Sequence, residues 1–332
     1  MSERKVGQLS FADEMVVAAA GGNAVLEKIA QFLDWSAIER LLSGIHGGAM
    51  GAPAYPALMM FKALLLQRWY ALSDPALEEA LKDRLSFRRF IGAGLSEALP
   101  DHSSLWRFRE ALGPGLSEQV FAEIGRQIEG LGFVLKRGTL IDASLVPAAV
   151  NAPKRPHTEL PADEDGKPAS KLVRSALDPD AAWTKKSGKY YFGYKLHIGM
   201  DQTSRIIRRV LFTPANVNES APADQLICGD EQSVLADKAF DSKARRQWLK
   251  DIGVGNAIMR RGHPNRRLTR AELRRNKRIA KERGAIEPIF NLVKNVHGLA
   301  RARYRGLRRN ATAFMIAATA LNLKRVAAML PA

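Results

Sequence analysis

The sequence predicts an α/β fold, a mixed sheet with helices on its faces, preceded by an all-helical N-terminal part. Three observations predict it. Over the first 130 residues apolar side chains recur at helical spacing. From about residue 135, short apolar runs of strand length alternate with helical segments. The charge divides at the same place: residues 1–130 sum to −3 and the remainder to +20, for a net +17.

In the first part, "GGNAVLEKIAQFLDWSAIERLL", "AYPALMMFKALLLQRWYAL", "SDPALEEALKDRLSFRRF", "DHSSLWRFREAL" and "LSEQVFAEIGRQIEGL" each read as a helix. Ser or Asp stands at several starts, Pro75 lies early in the third, and Gly follows several ends. Short linkers make this a bundle. Arg107 and Arg109 in "HSSLWRFRE" suit a DNA-contacting helix and an ordinary bundle helix equally well.

In the second part, "GTLIDASLV" reads as a short apolar strand carrying Asp142. "YFGYKLHIGMD" and "RIIRRVLFTPA" are strands joined by the tight turn "DQTS", which Asp201 serves. "ESAPADQLIC" reads as a helix, "SVLADKAF" as a buried strand ending at Asp237, "SKARRQWLKDIG" as a helix and "GNAIMR" as a strand. A long basic helical region follows. The order β-β-β-α-β-α-β-α calls for an antiparallel meander continued by helix-connected strands. Residues 146–190 hold six of the 16 prolines and little periodicity, so they form either a functional loop or a floppy insertion. Their basic end, "TKKSGK", suits a phosphate backbone. The expected division is a helical domain over residues 1–132 and a second domain over 133–332.

Composition narrows the setting. With 46% hydrophobic residues the chain can bury a core, and its one cysteine, Cys228, excludes a disulfide framework. The six histidines show no zinc spacing. The run "MVVAAAGG" follows Asp13 and Glu14 rather than a basic region, unlike a signal peptide. "ATAFMIAATALNL" is too short to span a bilayer. The expectation is a cytoplasmic protein without a membrane partner.

Residues 260–309 alone carry +14. Charge so concentrated implies a polyanion, double-stranded DNA foremost. Arg301, Arg303, Arg305 and Arg308, with Arg309, are expected on the DNA backbone, or else form a solvated turn before a helix capped by Asn310. Lys195 and His197 share one face of their strand and either approach DNA or line the sheet surface.

Inside this basic region stands "IAKERGAIEPIFNLVK". Steps of four and seven residues put Arg283, Glu287 and Lys294 on one helical stripe. Taken alone, that is a surface salt bridge. Pro288 removes a helix hydrogen bond and disfavours helical geometry at Glu287, so a kink or a helix start is expected there. If the first and fourth strands are sheet neighbours, Asp142 and Asp237 project into one cleft, and the late helix packing over it adds Glu287. A lone Asp at a strand end is otherwise a turn residue. Carboxylates converging in a positive field suit Mg²⁺, with Mn²⁺ as a substitute. Two such ions suit in-line phosphoryl displacement. Asp241 competes for the second position, but Asp237 follows the apolar strand directly.

Taken in order, these segments resemble the bacterial insertion-sequence transposases of the DDE type, close to the group named after insertion sequence five. "AYPALMMFKALLLQRWYALSDPALEEALKDRLSFRRFIG" and "PDHSSLWRFRE" resemble its helical N-terminal domain. "LIDASLV", "DPDAAWTKKSGKYYFGYKLHIGMD", "TPANVNES", "VLADKAFDS" and "IMRRG" resemble its ribonuclease-H-like core, and "RGAIEPIFNLVK" and "YRGLRRNATAFMIAATALNL" its C-terminal part. The resemblance implies that Asp142, Asp237 and Glu287 are the catalytic, metal-binding trio. It implies two Mg²⁺ ions, terminal inverted repeats and target DNA as substrates, and a homodimer on DNA. The N-terminal domain would then serve DNA binding and dimerisation. Arg283 and Lys294 match the family signature around the glutamate and would hold DNA phosphate. The signature's tyrosine is replaced by Ala280, which removes one DNA contact. Two other readings stay open: a two-metal DNA endonuclease on the same fold, and a catalytically silent DNA-binding repressor, against which an intact trio argues.

Overall fold

The computed structural model describes residues 4, 6, 22–46, 53–154, 157–160, 169–172, 175–262 and 266–331. Most of the apolar run near the N-terminus, residues 15–21, lies outside them, as do residues 155–156, 161–168 and 173–174 of the proline-rich stretch. The chain forms two compact units. One comprises Met1–Phe133, Val296–Gly298 and Met315–Ala332, the other Val134–Asn295 and Leu299–Phe314. The C-terminal segment therefore contributes to both, instead of belonging to the second alone as its sequence suggests.

The first unit contains α1 (Ala24–Phe32), α2 (Trp35–Leu42), α3 (Ala57–Trp69), α4 (Asp74–Asp83), α5 (Leu85–Ile91) and α6 (His102–Gly130). Two stretches that read as single helices are broken. Asp34 stops the first and caps α2, its carboxylate accepting from the Ser36 N–H. Extended backbone at Arg84 separates α4 from α5. Conversely, two expected helices run on as α6 through a kink at Gly113 (φ 55°, ψ −179°) ahead of Pro114. Arg109 is 2% exposed. It donates to Asp74 Oδ2 (3.1 Å) and Gln67 Oε1 (3.2 Å), so it binds the bundle together and is not a DNA contact. Arg107, on the same helix, is exposed.

The second unit is built on a six-stranded sheet of order β4-β5-β1-β7-β8, with β6 also paired to β5. Its strands are β1 (Thr139–Pro147), β4 (Ala182–Lys186), β5 (Lys189–Asp201), β6 (Ile207–Pro214), β7 (Ser233–Ala236) and β8 (Gly255–Ile258). The backbones of β2 (His157–Leu160) and β3 (Ala169–Leu172) form a separate antiparallel pair. β1, β5 and β6 are the antiparallel meander read from the sequence, whereas β7 and β8 run parallel to β1. This mixed sheet is the ribonuclease-H-like core. β5 is buried over ten consecutive residues, as a strand covered on both faces should be. Gly193 is obligatory where β5 leaves β1: a Cβ there would lie 2.2 Å from the Val146 carbonyl oxygen.

One face of the sheet carries Ile141, Val234 and Ala236, packed with Phe240, Leu249, Val254 and Ile258. Helix α7 (Lys243–Asp251), capped by Ser242, supplies Leu249. "ESAPADQLIC" forms only a 3-10 turn, Ala223–Leu226. The late basic region is α8 (Arg270–Arg283), a 3-10 turn (Gly284–Ile286), α9 (Glu287–Asn291) and a π-turn (Leu292–Val296). Helix α10 (Leu307–Met329) starts three residues before Asn310. Its first N–H groups are capped from afar, Leu307 N–H donating to Asp180 (2.8 Å) and Gly306 N–H to Asp178 (3.1 Å). Asn310 instead ties down the preceding turn through the Tyr304 and Gly306 carbonyls.

Two buried histidines make the fold acid-sensitive. In the first unit His297 Nδ1–H donates to the Arg68 carbonyl (3.0 Å), and burial holds its pKa down at about 4. In the second, burial and then Lys195 hold His197 at about 4. Below the ordinary value of ~6.5 the unfolded chain takes up protons that the folded chain refuses. Stability is therefore lost as pH falls from ~6.5 to ~4, approaching ~1.4 kcal/mol per pH unit for each ring, and these rings add no further loss below that. Urea unfolding between pH 7 and 4.5 should show this limb, shallower by about one proton in His297→Gln.

Candidate active site

The pairs Thr139↔Val234 and Leu140↔Leu235 align β1 and β7 with an offset of 95 residues. Asp237 follows β7 with extended backbone (φ −69°, ψ 163°). Carried past the end of that ladder, the same offset would set it level with Asp142, one strand spacing of ~4.8 Å away. Strand alternation puts Asp142 on the face opposite Ile141 and Asp237 on the face opposite Ala236, away from the α7 core. The two aspartates thus share one face of the sheet.

The helical segment from α8 to the π-turn covers that face. Arg283, the last residue of α8, donates through NH1 to Asp142 Oδ2 (2.7 Å). Lys294 in the π-turn donates to Ser144 Oγ (2.7 Å) and the Leu145 carbonyl (2.6 Å). Between them, Glu287 opens α9 as an exposed residue with Pro288 in the first turn, the helix start that the proline requires. Glu287 thus belongs to the segment that Arg283 and Lys294 tie to β1. The ligand oxygens of Asp142, Asp237 and Glu287 do not all come within 4.8 Å of one another.

Electrostatics at Asp142 are finely opposed. Its side chain is 18% exposed, and burial raises its pKa. Arg283 and the Ala143 N–H pull the other way, Lys186 assists them, and Glu219 adds negative charge. Glu219 does not stand out in the sequence, and Lys186 does so only as part of the basic run "TKKSGK". Their place follows from the loop after β6 and from the β4–β5 hairpin, whose strand β4 is hidden in the polar run "TKKSGK". Asp237 accepts from the Lys238 N–H (2.6 Å). Asp241, the rival aspartate, is committed elsewhere: it pairs with Arg246 (3.0 Å) and accepts from the Arg261 N–H (3.2 Å).

Several expected DNA contacts are internal. Lys195 is 7% exposed and donates to the Val217 carbonyl (2.7 Å), while His197 is fully buried beside Thr213 Oγ1 (2.9 Å). Both correct the expectation of a DNA-facing strand, because the loop and 3-10 turn after β6 cover that face. Arg283 and Lys294, expected on phosphate, each also hold β1: Arg283 through Nη1 to Asp142, leaving its Nε without a partner, and Lys294 to Ser144 and Leu145. Arg301 donates to the Ala148 (2.6 Å) and Val150 (3.0 Å) carbonyls. Arg305 and Arg308 are exposed and Arg303 is half-buried. Asp201 is the turn residue its position suggests, accepting from Ser204 N–H (2.7 Å) and Lys136 N–H (2.9 Å).

Among the described residues, Cys228, Asp230 and Glu231 bring three ligand atoms within 4.8 Å of one another. Arg208 and Lys136 already neutralise Asp230, so cations hold that corner. No described helix is long and apolar enough to cross a membrane.

Comparison with known families gives two matches. A model described as a transposase DDE domain matches residues 135–323, more than half the chain, and a second, described as a transposase domain (DUF772), matches residues 18–111.

The contrast between the two aspartates is testable. Asp241→Asn should cost about 1–3 kcal/mol in urea unfolding by stranding its arginine partners, and leave Mn²⁺ binding, read by electron paramagnetic resonance, unchanged. Asp237→Asn should weaken Mn²⁺ binding with little loss of stability; the reverse pattern would exchange their roles.

Proposed function

The chain belongs to the family of insertion-sequence transposases built on the DDE domain, and on that premise we propose that Asp142, Asp237 and Glu287 hold the divalent cations with which it cuts and joins DNA. As a DNA transposase it is an enzyme of a family that uses divalent metal and acts on DNA. The supporting observation is the parallel register of β1 and β7, whose offset of 95 residues equals the separation of Asp142 and Asp237, beside a helical segment that carries Glu287 and is anchored to β1 on both sides of it. Similarity to the insertion-sequence-five group rests on the ordered segments quoted above, the spacing of Arg283, Glu287 and Lys294 among them.

Three carboxylates offer only hard oxygens, which fits Mg²⁺ or Mn²⁺. Bound there, a pair of such ions supplies an activated nucleophile and charge neutralisation at the leaving oxygen. The chain's own residues set the stage. Arg283 fixes the Asp142 carboxylate, Lys294 fixes the main chain at Ser144–Leu145, and both act as positioning residues. In the first reaction water attacks a phosphodiester at the element end; its oxygen bonds to phosphorus, the bond to O3′ breaks, and O3′ takes a proton. In the second, that freed 3′-hydroxyl attacks a target phosphodiester and expels the target's own 3′-hydroxyl. Two ends must be handled together, so a homodimer on DNA is the working assembly. The helical domain over residues 1–132 is assigned to end recognition and dimerisation.

A duplex carrying an element end should be cleaved at the element boundary with Mg²⁺ or Mn²⁺, and the freed end joined to target DNA. Glu287→Gln should lose several kcal/mol of transition-state stabilisation, on the order of 10³-fold in rate, while retaining DNA binding. Equal cleavage by both proteins would remove Glu287 from the site. Cleavage without joining would point to an endonuclease, and tight binding without cleavage by either protein to a repressor.

A further inference from the structure

Helix α8, "RAELRRNKRIAKER", carries seven basic residues and two acids. Its inner side is used up in holding the fold. Arg275 donates to the Ile258 (2.8 Å) and Asn256 (2.6 Å) carbonyls of β8, the last strand in the sheet order. Asn276 exchanges two hydrogen bonds with the Arg260 backbone (2.8 and 3.0 Å), Ile279 is buried, and Arg283 holds Asp142. The helix seals an otherwise open sheet edge.

The remaining five cations lie opposite. Arg270, Arg274, Lys277, Arg278 and Lys281 are all exposed and fall at steps of four, seven, eight and eleven residues from the first. At 100° per residue they occupy an arc of about 100°, over a length of roughly 16 Å. Neither acid of the helix cancels them. Glu272 closes the capping box with Thr269 and pairs with Arg266, and Glu282 accepts from Gln202 (2.9 Å). Among the described residues none of the five has a carboxylate partner. A straight row of cations without counter-charges is complementary to a phosphate backbone, whose condensed counterions it would release.

We propose that this outer face of α8 docks the phosphate backbone of double-stranded DNA, along the helix that leads into Glu287. The choice of partner rests on the transposase reading. The docking face is separate from Arg283 Nη1, which donates to Asp142, and from Lys294 Nζ, which donates to Ser144 Oγ. It carries no base-reading geometry, so the contact is independent of sequence.

The test measures full-chain binding to a short labelled duplex of arbitrary sequence, by fluorescence anisotropy from about 50 to 200 mM salt. The variant Arg274→Gln/Lys277→Gln/Lys281→Gln should reduce the slope of log K against log salt by about 2.7. Over that fourfold salt range the wild type should then lose roughly 40-fold more affinity than the variant. The charge-preserving Arg274→Lys/Lys277→Arg/Lys281→Arg should keep the wild-type slope. If the triple variant does not fold, Lys277→Gln alone should remove about 0.9 of slope. An unchanged slope and affinity in a folded Gln variant, with wild type binding DNA, would overturn the docking face and leave the transposase reading intact. A loss confined to single-stranded probes would overturn the duplex assignment. No binding of wild type to either probe at low salt would overturn the reading itself, and this proposal with it.

Discussion

The parallel pairing of β1 with β7 is the constraint on which the site depends. The two strands are neighbours in space at an offset of 95 residues, and parallel partners cannot be joined by a tight turn. Everything between must leave β1 and return: the long connection, the β4–β5–β6 meander and the 3-10 turn ahead of β7. β1 is held in that register from its other side by unbroken pairing with β5 from Thr139 to Pro147. A slip of one residue would send Asp142 into the apolar face occupied by Ile141 and drive Ile141 towards the helix cover. The hydrophobic core on one face thereby fixes the carboxylates on the other.

That placement has an electrostatic consequence. A carboxylate under a helix loses water, and burial raises the pKa of Asp142. The fold answers with Arg283 at 2.7 Å and the N–H of Ala143, while Lys186 lends a more distant charge. Lys294, turned inward, is pushed down in pKa by its own burial and by Lys186. The basic region thus contains two populations. Arg275, Arg283 and Lys294 bind strand edges and a carboxylate; Arg270, Arg274 and Lys281 face solvent. A net charge counts both alike, yet only the second population remains available to a polyanion.

This division also explains what the sequence disclosed and what it withheld. The antiparallel meander was readable because apolar runs of strand length, separated by turns, admit few topologies, and the positions of Asp142 within β1 and Asp237 just after β7 followed from such runs. The helix start at Glu287 followed from Pro288. Partners distant in sequence were not legible. Period-two alternation puts Lys195 and His197 on one face but cannot say that the Val217 loop covers it and that Thr213 of β6 partners His197. Arg109 suits a DNA contact and a bundle helix equally until Asp74, on another helix, is found beside it. The cap of α10 comes from Asp180, 127 positions away, so the nearby Asn310 was the natural misreading. Strand β4 was hidden because its lysines lie at an exposed hairpin end, where no apolar pattern is needed.

The irregular helix over the site has a mechanical logic. Arg283 and Lys294 are eleven positions apart, about 16 Å along an ideal helix. Their anchors on β1, Asp142 and the Ser144–Leu145 backbone, span two to three residues of strand, no more than about 10 Å. Two long side chains converging from a longer span onto a shorter one draw the intervening backbone against the sheet. The 3-10 turn before Glu287 and the π-turn after Asn291 depart from ideal helix where such accommodation is required. Glu287 lies inside this bracket, with Ile286, Ile289 and Phe290 buried around it and its own side chain left exposed. Its backbone is therefore held from both directions before any ligand arrives, which is what a carboxylate must have if it is to meet a cation without paying for reorganisation.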